Sequence, residues 1–376
     1  MEMRDLKRQY QYLKNDIDIR MQEVINQTNF IQGQQVAELE QLLADYTGTK
    51  HCVTCANGTD ALQLALMAWE IGEGDAVFVP DFTFFSSGEV VSAVNAVPVF
   101  VDVEPDTYNI DCHSLEVLIQ KVIQEDKLRP KVIVAVDLFG QPSDYERLRK
   151  IAQKYHMYIL EDAAQGFGGR IGKRKACSFG DISTTSFFPS KPLGCYGDGG
   201  AVFTDNDKWA ALLRSYRVHG KGSSKYDNVR IGMNSRLDTL QAAVLLAKMT
   251  VFTEKELDWM QGISAQYTEQ LKGVVTTPFI KDGFYSSWAQ YTIQVSDQMV
   301  RDGLQAYLKE QGIPSAVYYQ NPMHRQLAFK GNGYDEQDYP VANQLSETVL
   351  SLPFHPYMKE EEIMLVANMI KEYLGR

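Results

Sequence analysis

A chain of 376 residues is long enough for two domains, or for one large domain with a smaller one appended. A formal net charge of −11 argues against broad affinity for nucleic acid or anionic membranes, yet leaves room for a local basic pocket that takes a phosphorylated ligand. Hydrophobic residues at 44% and charged residues at 23% are ordinary for a folded soluble protein; no apolar run approaches a bilayer span, and the charged, amphipathic start is not signal-like, so a cytoplasmic location is expected.

Taken in order, Leu6, Tyr10, Leu13, Ile17, Met21, Val24 and Ile25 form an apolar stripe at helical spacing. It predicts an amphipathic helix packed on the body or on a partner subunit. Phe30-Ile31-Gln32-Gly33 interrupts that helix; a helical pattern resumes over 36–46, with Gly48 as its stop. His51–Cys55 reads as a strand, and Ala56-Asn57-Gly58-Thr59-Asp60 turns into an apolar helix over 61–69. Strand, glycine turn and helix together present backbone N–H groups and a positive dipole end to an anion. A routine turn, with Gly58 relieving backbone strain, accounts for the local pattern equally well. There is no GxGxxG and no Walker lysine, so dinucleotide and P-loop readings lack support.

Strands follow at 76–79, 98–101, 131–136 and 157–160, with helices at 90–95 and 145–155. This alternation predicts an α/β fold, a mainly parallel sheet wrapped by helices. Of the five cysteines, Cys52 and Cys55 have CxxC spacing, but no second pair exists and both sit in an apolar strand. Buried, inert thiols in a reducing compartment, with no metal, are expected.

The stretch 158–204 organises the rest. Asp162 lies just past the strand at 157–160, Lys191 on a polar turn after a strand at 184–188, and Asp198-Gly199-Gly200 precedes a strand at 201–203. In an open parallel sheet the loops at the carboxyl ends of strands converge on one crevice. A carboxylate and an amine delivered there are what an aldehyde cofactor with a pyridine ring needs: the lysine to form a Schiff base, the acid to keep the ring nitrogen protonated. Beyond 204, a helix at 208–216 leads into a polar loop, 217–234. Arg217, His219, Lys221, Lys225 and Arg230 make this loop a candidate for a diphosphate or carboxylate, though a solvated loop explains them too. Helices at 238–249 and 254–272, a loop or edge strand at 273–285, strands at 289–295 and 312–318 and a helix at 301–311 complete a smaller α+β part. The expected division is 1–249 and 250–376.

With these segments in place, the chain resembles the DegT/DnrJ/EryC1/StrS sugar aminotransferases over nearly its whole length. The motifs are Phe30-Ile31-x-Gly33, Asn57-Gly58-Thr59-Asp60-Ala61-Leu62, Thr83-Phe84, Glu161-Asp162-Ala163-Ala164-Gln165, Ser186-Phe187-x-x-x-Lys191, Gly197-Asp198-Gly199-Gly200-Ala201, Gly232-Met233-Asn234-Ser235-Arg236-Leu237-Asp238, and His324. The resemblance implies an aspartate-aminotransferase-like (type I) fold and pyridoxal 5′-phosphate, with its aminated form PMP, as cofactor. Lys191 would be the Schiff-base lysine and proton carrier, and Asp162 the partner of the pyridinium nitrogen. Gln165 would meet the phenolic oxygen and Phe84 stack on the ring, with Phe85 an alternative. Gly58, Thr59 and Ser186 would hold the phosphate, and Asn234 would reach it from the other subunit of a homodimer with shared sites. Phe30, Arg230 and His324 are substrate-contact candidates.

The implied reaction moves an amino group from L-glutamate to a keto group of a nucleotide-linked hexose, for surface polysaccharide such as lipopolysaccharide. The run Lys191–Gly200 resembles members acting at C3 of UDP-linked N-acetylated hexuronic acids. Members acting at C4 more often carry a Thr-rich segment, and Glu where Asp198 stands. A C4 enzyme is the alternative; a non-catalytic sugar-nucleotide-binding or regulatory relative is a further rival. Relatives that remove hydroxyl groups carry His in place of Lys191.

Overall fold

The computed structural model describes residues 1–224, 226–331 and 333–375; Lys225 of the polar loop lies outside the described residues. The chain begins with helices α1 (Leu6–Gln27) and α2 (Gln34–Thr47), then β1 (His51–Cys55), α3 (Gly58–Ala68), β2 (Asp75–Pro80) and α4 (Ser86–Ala93). Next come β3 (Val97–Val101), α5 (Cys112–Glu125), β4 (Arg129–Val136), α6 (Tyr145–Tyr155) and β5 (Tyr158–Asp162). Two short strands, β6 (Arg170–Ile171) and β7 (Arg174–Lys175), precede β8 (Ile182–Ser186), β9 (Gly200–Thr204), α7 (Asp207–Tyr216) and α8 (Thr239–Val251). The remainder is α9 (Leu257–Leu271), β10 (Phe284–Tyr285), β11 (Tyr291–Gln294), α10 (Gln298–Glu310), α11 (Pro340–Thr348), β12 (Val349–Leu352) and α12 (Glu360–Tyr373).

The central sheet has the order β1-β9-β8-β5-β4-β2-β3. Every pairing in it is parallel except those of β9, which runs antiparallel to both β1 and β8. Helices cover both faces, so β2, β8 and β9 are buried at every position, which is why they read as unbroken runs rather than alternating ones. Amphipathic α1 lays Leu13 and Ile17 on Val244 and Ala247 of α8. Its first turn is closed by Asp5, which accepts from the N–H of Arg8 at 2.9 Å. Ile25, expected in the stripe, points outward and is 46% exposed.

Helix α8 passes through one π turn, Phe252–Glu256, straight into α9. The run leaves the sheet's own core (Leu245, Met249, Phe252) and enters a second apolar cluster built on Tyr267, Tyr291, Leu304 and Ile363. There β11 pairs with β12, antiparallel. The strand expected at 312–318 is absent: Ala316 makes a lone bridge to Ser351. Pro314 explains this, because it supplies no N–H and breaks the ladder. The strand expected at 184–188 ends instead at Ser186. Among the described residues, no helix is long and apolar enough to cross a membrane.

Candidate active site

A cavity of about 930 Å³ opens at the carboxyl ends of the parallel strands. The last residues of β4, β5 and β8 (Val136, Asp162 and Ser186) line it, as do the turns after β1 and β2. This is where an open α/β sheet collects its loops. Seven of the residues singled out from the sequence meet in its wall: Gly58, Thr59, Phe84, Asp162, Gln165, Ser186 and Lys191.

At the Gly58 end the chain is packed against β8. A Cβ on residue 58 would stand 2.7 Å from the Cβ of Ser186, so only glycine lets the two segments approach this closely. Asn57 caps α3, its side-chain oxygen accepting from the Asp60 N–H at 2.8 Å. Gly58 and Thr59 are the first two residues of that helix, and first-turn N–H groups have no acceptor within a helix. Thr59 Oγ1 lies 2.7 Å from Ser86 Oγ, at the start of α4. Two helix amino ends and three hydroxyls therefore share one corner, a ready seat for a dianion.

At the other end stand the amine and the acid. Asp162 is 5% exposed; its carboxylate accepts from Ser87 Oγ at 2.8 Å and from the Ala164 N–H at 3.2 Å. Burial nevertheless raises its pKa, and the opposing pull of those hydrogen bonds and of Lys191 does not cancel this. Lys191 is shifted the other way. Burial lowers its pKa, with the Asp162 charge opposing and Arg4 adding to the depression. The result is an amine with an enlarged uncharged fraction beside a carboxylate that lacks a full cationic partner.

Gln165 is fixed at both ends: its Oε1 accepts from the Phe139 N–H at 2.9 Å and its Nε2 donates to Tyr319 Oη at 3.0 Å. Phe84 and Phe85 both reach the cavity, but Phe85 packs on Phe329 at 5.4 Å whereas Phe84 is 52% exposed. Phe84, tilted against Tyr319 with ring centroids 6.2 Å apart, is the more open of the two rings.

Four of the sequence-derived positions lie elsewhere. The His324 ring stacks on Tyr339, its Nδ1 is 2.7 Å from the Asp81 carboxylate and its Nε2 is 3.2 Å from Glu336. Both nitrogens are engaged within the chain, and the histidine's neighbours Asn321 and Gln326 line the cavity. Phe30 is 44% exposed and outside the cavity wall, its carbonyl accepting from the Thr239 N–H at 2.9 Å. Arg230 lies over the ring of Tyr216 and donates to Ser215 Oγ. Asn234 is exposed and accepts from Arg236. In the same loop, Arg217 is buried on Glu40 and the Thr54 carbonyl, 2.7 Å away, a structural tie rather than an anion receptor.

Sequence reasoning missed Ser86, Ser87 and Tyr319. Ser87 follows Thr83-Phe84 by only a few residues, and a hydroxyl in the first turn after an aromatic motif was a usable signal. Nothing local marks Tyr319. All five cysteines are buried thiols, and no group of His, Cys, Asp or Glu among the described residues could hold a metal ion.

Comparison with known proteins bears on this geometry. Residues 11–371 match the model of the DegT/DnrJ/EryC1/StrS aminotransferase family. The chain is 42% identical, over 97% of its length and 98% of the relative's, to a UDP-2-acetamido-2-deoxy-3-oxo-D-glucuronate aminotransferase of Pseudomonas aeruginosa. A DegT DnrJ EryC1 StrS aminotransferase from Brucella abortus superimposes with a TM-score of 0.97 at 45% identity, each chain covered completely. The crystal structure of NtdA from Bacillus subtilis with bound cofactor PMP matches with a TM-score of 0.87 at 29% identity, over 97% of this chain and 82% of that one.

Proposed function

The chain belongs to the DegT/DnrJ/EryC1/StrS aminotransferase family and is a PLP-dependent sugar aminotransferase; from that premise we propose that it aminates C3 of a UDP-linked 2-acetamido-3-keto-hexuronic acid, with L-glutamate as donor. One observation carries the reading: Lys191, Asp162 and the Gly58 turn meet in a single cavity of a chain 42% identical to a 3-oxo-glucuronate aminotransferase. Asp198, in the run that resembled C3-acting members, lies in the same wall.

The residues fit pyridoxal phosphate. The Gly58–Ser186 approach, closed to any side chain, brings the first-turn backbone N–H groups of α3 beside the Ser186 hydroxyl, which accepts from the Phe188 N–H and still has its proton to donate to a phosphate. Asp162, whose pKa burial raises, gains from a cation placed beside it. That cofactor supplies an aldehyde that condenses with amines and a ring that draws electron density from the neighbouring carbon.

The protein's part follows from position. Gly58, Thr59 and Ser186 would anchor the phosphate, Phe84 would cover a ring face, and Asp162 would keep the ring nitrogen protonated through its carboxylate. Gln165, braced by Tyr319, meets the phenolic oxygen. Lys191 Nζ, whose pKa burial lowers, would carry the cofactor and, once displaced by the incoming amine, would move a proton between the two reacting carbons, taking it from one and returning it to the other within each half-reaction. One amine serving both halves gives ping-pong kinetics. The proposed setting is cytoplasmic, supplying amino sugars for surface polysaccharide, and the proposed lobes are 1–249 and 250–376.

Amination of 3-keto against 4-keto UDP-sugars, with glutamate as donor, tests the acceptor. We expect turnover on the 3-keto uronate; turnover confined to 4-keto sugars rejects the choice.

The working unit we propose is a homodimer in which Asn234 serves the partner's phosphate seat. Its exposure, and its place outside its own chain's cavity, support this. Mixing inactive Lys191→Ala and impaired Asn234→Ala proteins should restore activity to about a quarter of the parent, since half the random dimers carry one site with both residues intact. No recovery after subunit exchange sinks the shared site.

A further inference from the structure

Lys248 is a buried lysine without an acidic partner in contact, and neither it nor Arg4 lines the cavity. It is only 1% exposed, in the last turn of α8. Its Nζ donates to the carbonyl of Gly194 at 2.6 Å and stands over the ring of Tyr196, 4.4 Å from the centroid. Arg4, on the arm before α1, donates to the carbonyl of Pro192 at 3.0 Å, while its second terminal nitrogen is buried without a partner. Gln241, also on α8, accepts from the N–H of Tyr196 at 2.8 Å. The turn carrying Lys191 thus has successive peptide groups held by elements behind it.

We propose that Lys248 and Arg4 are positioning residues for Lys191: a buried ammonium and a half-buried guanidinium grip the carbonyls of Gly194 and Pro192 and fix the path of the turn from which the amine projects. The inference rests on the role given above to Lys191. A neutral donor could make either hydrogen bond; burying a charge costs much more, so two charges here imply a use for them. Positive charge behind the turn also opposes protonation of Lys191, on which Arg4 acts in the same sense as burial while Asp162 acts against both. Glu256, bonded to Gln9 and Tyr357, offsets the burial of Lys248, whose pKa is lowered to about 8. The arm has a second attachment, because the carbonyl of Met3 accepts from the N–H of Phe354 at 3.0 Å. Arg8 continues it with a two-pronged pair to Glu362. The arm therefore ties the lysine turn to the carboxy-terminal cluster.

The test uses full-length Arg4→Gln and Lys248→Met proteins. Amide hydrogen exchange over residues 192–196 is read in the cofactor-free form, and kcat and KM in the loaded form. Exchange in that segment should quicken at least about tenfold, kcat should fall with KM for the keto sugar unchanged, and Arg4→Lys and Lys248→Arg should restore both. In Arg4→Gln, competitive labelling of Lys191 by acetic anhydride should also shift to higher pH, cutting its rate near pH 8 severalfold. Should Lys248→Met fail to fold, Arg4→Gln decides alone, since its residue sits on a terminal arm. Folded variants with parental exchange at 192–196 overturn the proposal, as does faster exchange with unchanged kcat. Exchange in the cofactor-free protein is independent of the chemistry, so an active Lys191→Ala enzyme would defeat the catalytic reading without altering this measurement.

Discussion

Lys191→Ala is expected to lower kcat/KM by about 10³-fold or more, because in the proposed mechanism one amine holds the cofactor and moves the proton in both half-reactions. The diagnostic measurement is covalent. Borohydride should fix the cofactor onto the parent chain and abolish its visible absorbance, and should fix none onto the variant. Parental turnover by the variant ends this reading of the site. The fold should survive the change. Burial holds the folded-state pKa of Lys191 below its ordinary value, so the unfolded chain binds the extra proton between the two values. Stability of the cofactor-free parent therefore rises with pH across that window and falls as pH drops through the folded value. Lys191→Met, which keeps the bulk without the amine, should lack that rise in a series of thermal melts at increasing pH.

The second large effect is expected at Asp162. Asp162→Asn preserves shape and can still accept from Ser87, but cannot place a negative charge at the end of β5. We expect kcat to drop about 10²- to 10⁴-fold, the range for losing a group that controls a proton. The cofactor-free protein should respond oppositely. The carboxyl's folded-state pKa is raised by burial, so the stabilisation associated with its protonated form is full below the unfolded value and lost as pH climbs through the folded one. The asparagine variant, which has no carboxyl to titrate there, should lack that fall when thermal melts are compared across the same pH range. Saturating cofactor should raise the melting temperature of the parent and much less that of the variant. An Asp162→Asn enzyme with parental kcat and parental cofactor stabilisation would contradict the assignment.

What the sequence made legible was local. Gly58, Asp162, Ser186 and Lys191 each sit within a short segment whose spacing can be read along one strand and its turn, and they meet in the cavity. Helix α5 was equally legible and passed over: Asp111 caps it through the N–H of Ser114 at 2.7 Å, and Leu115 and Ile119 form its buried stripe. Tyr319 is a different matter. It braces Gln165 from 154 residues away, a contact that no periodicity or spacing encodes. His324 lies between these cases. A histidine in a family-like motif invites a role at the substrate, whereas the fold spends both its nitrogens on Asp81 and Glu336. Pro314 was in plain view and should have disqualified the run around it as a strand.

The reversed strand β9 has a consequence for how the site can fail. Its first residue, Gly200, faces Cys55 on one side and Ser186 on the other, and a Cβ there would stand 2.4 Å from the carbonyl oxygen of Asn57. The Gly58 turn and the strand leading to the lysine therefore touch each other directly and are both paired to the same third strand. Opening of that strand would release both margins together, so local melting has no half-built intermediate in which one margin persists.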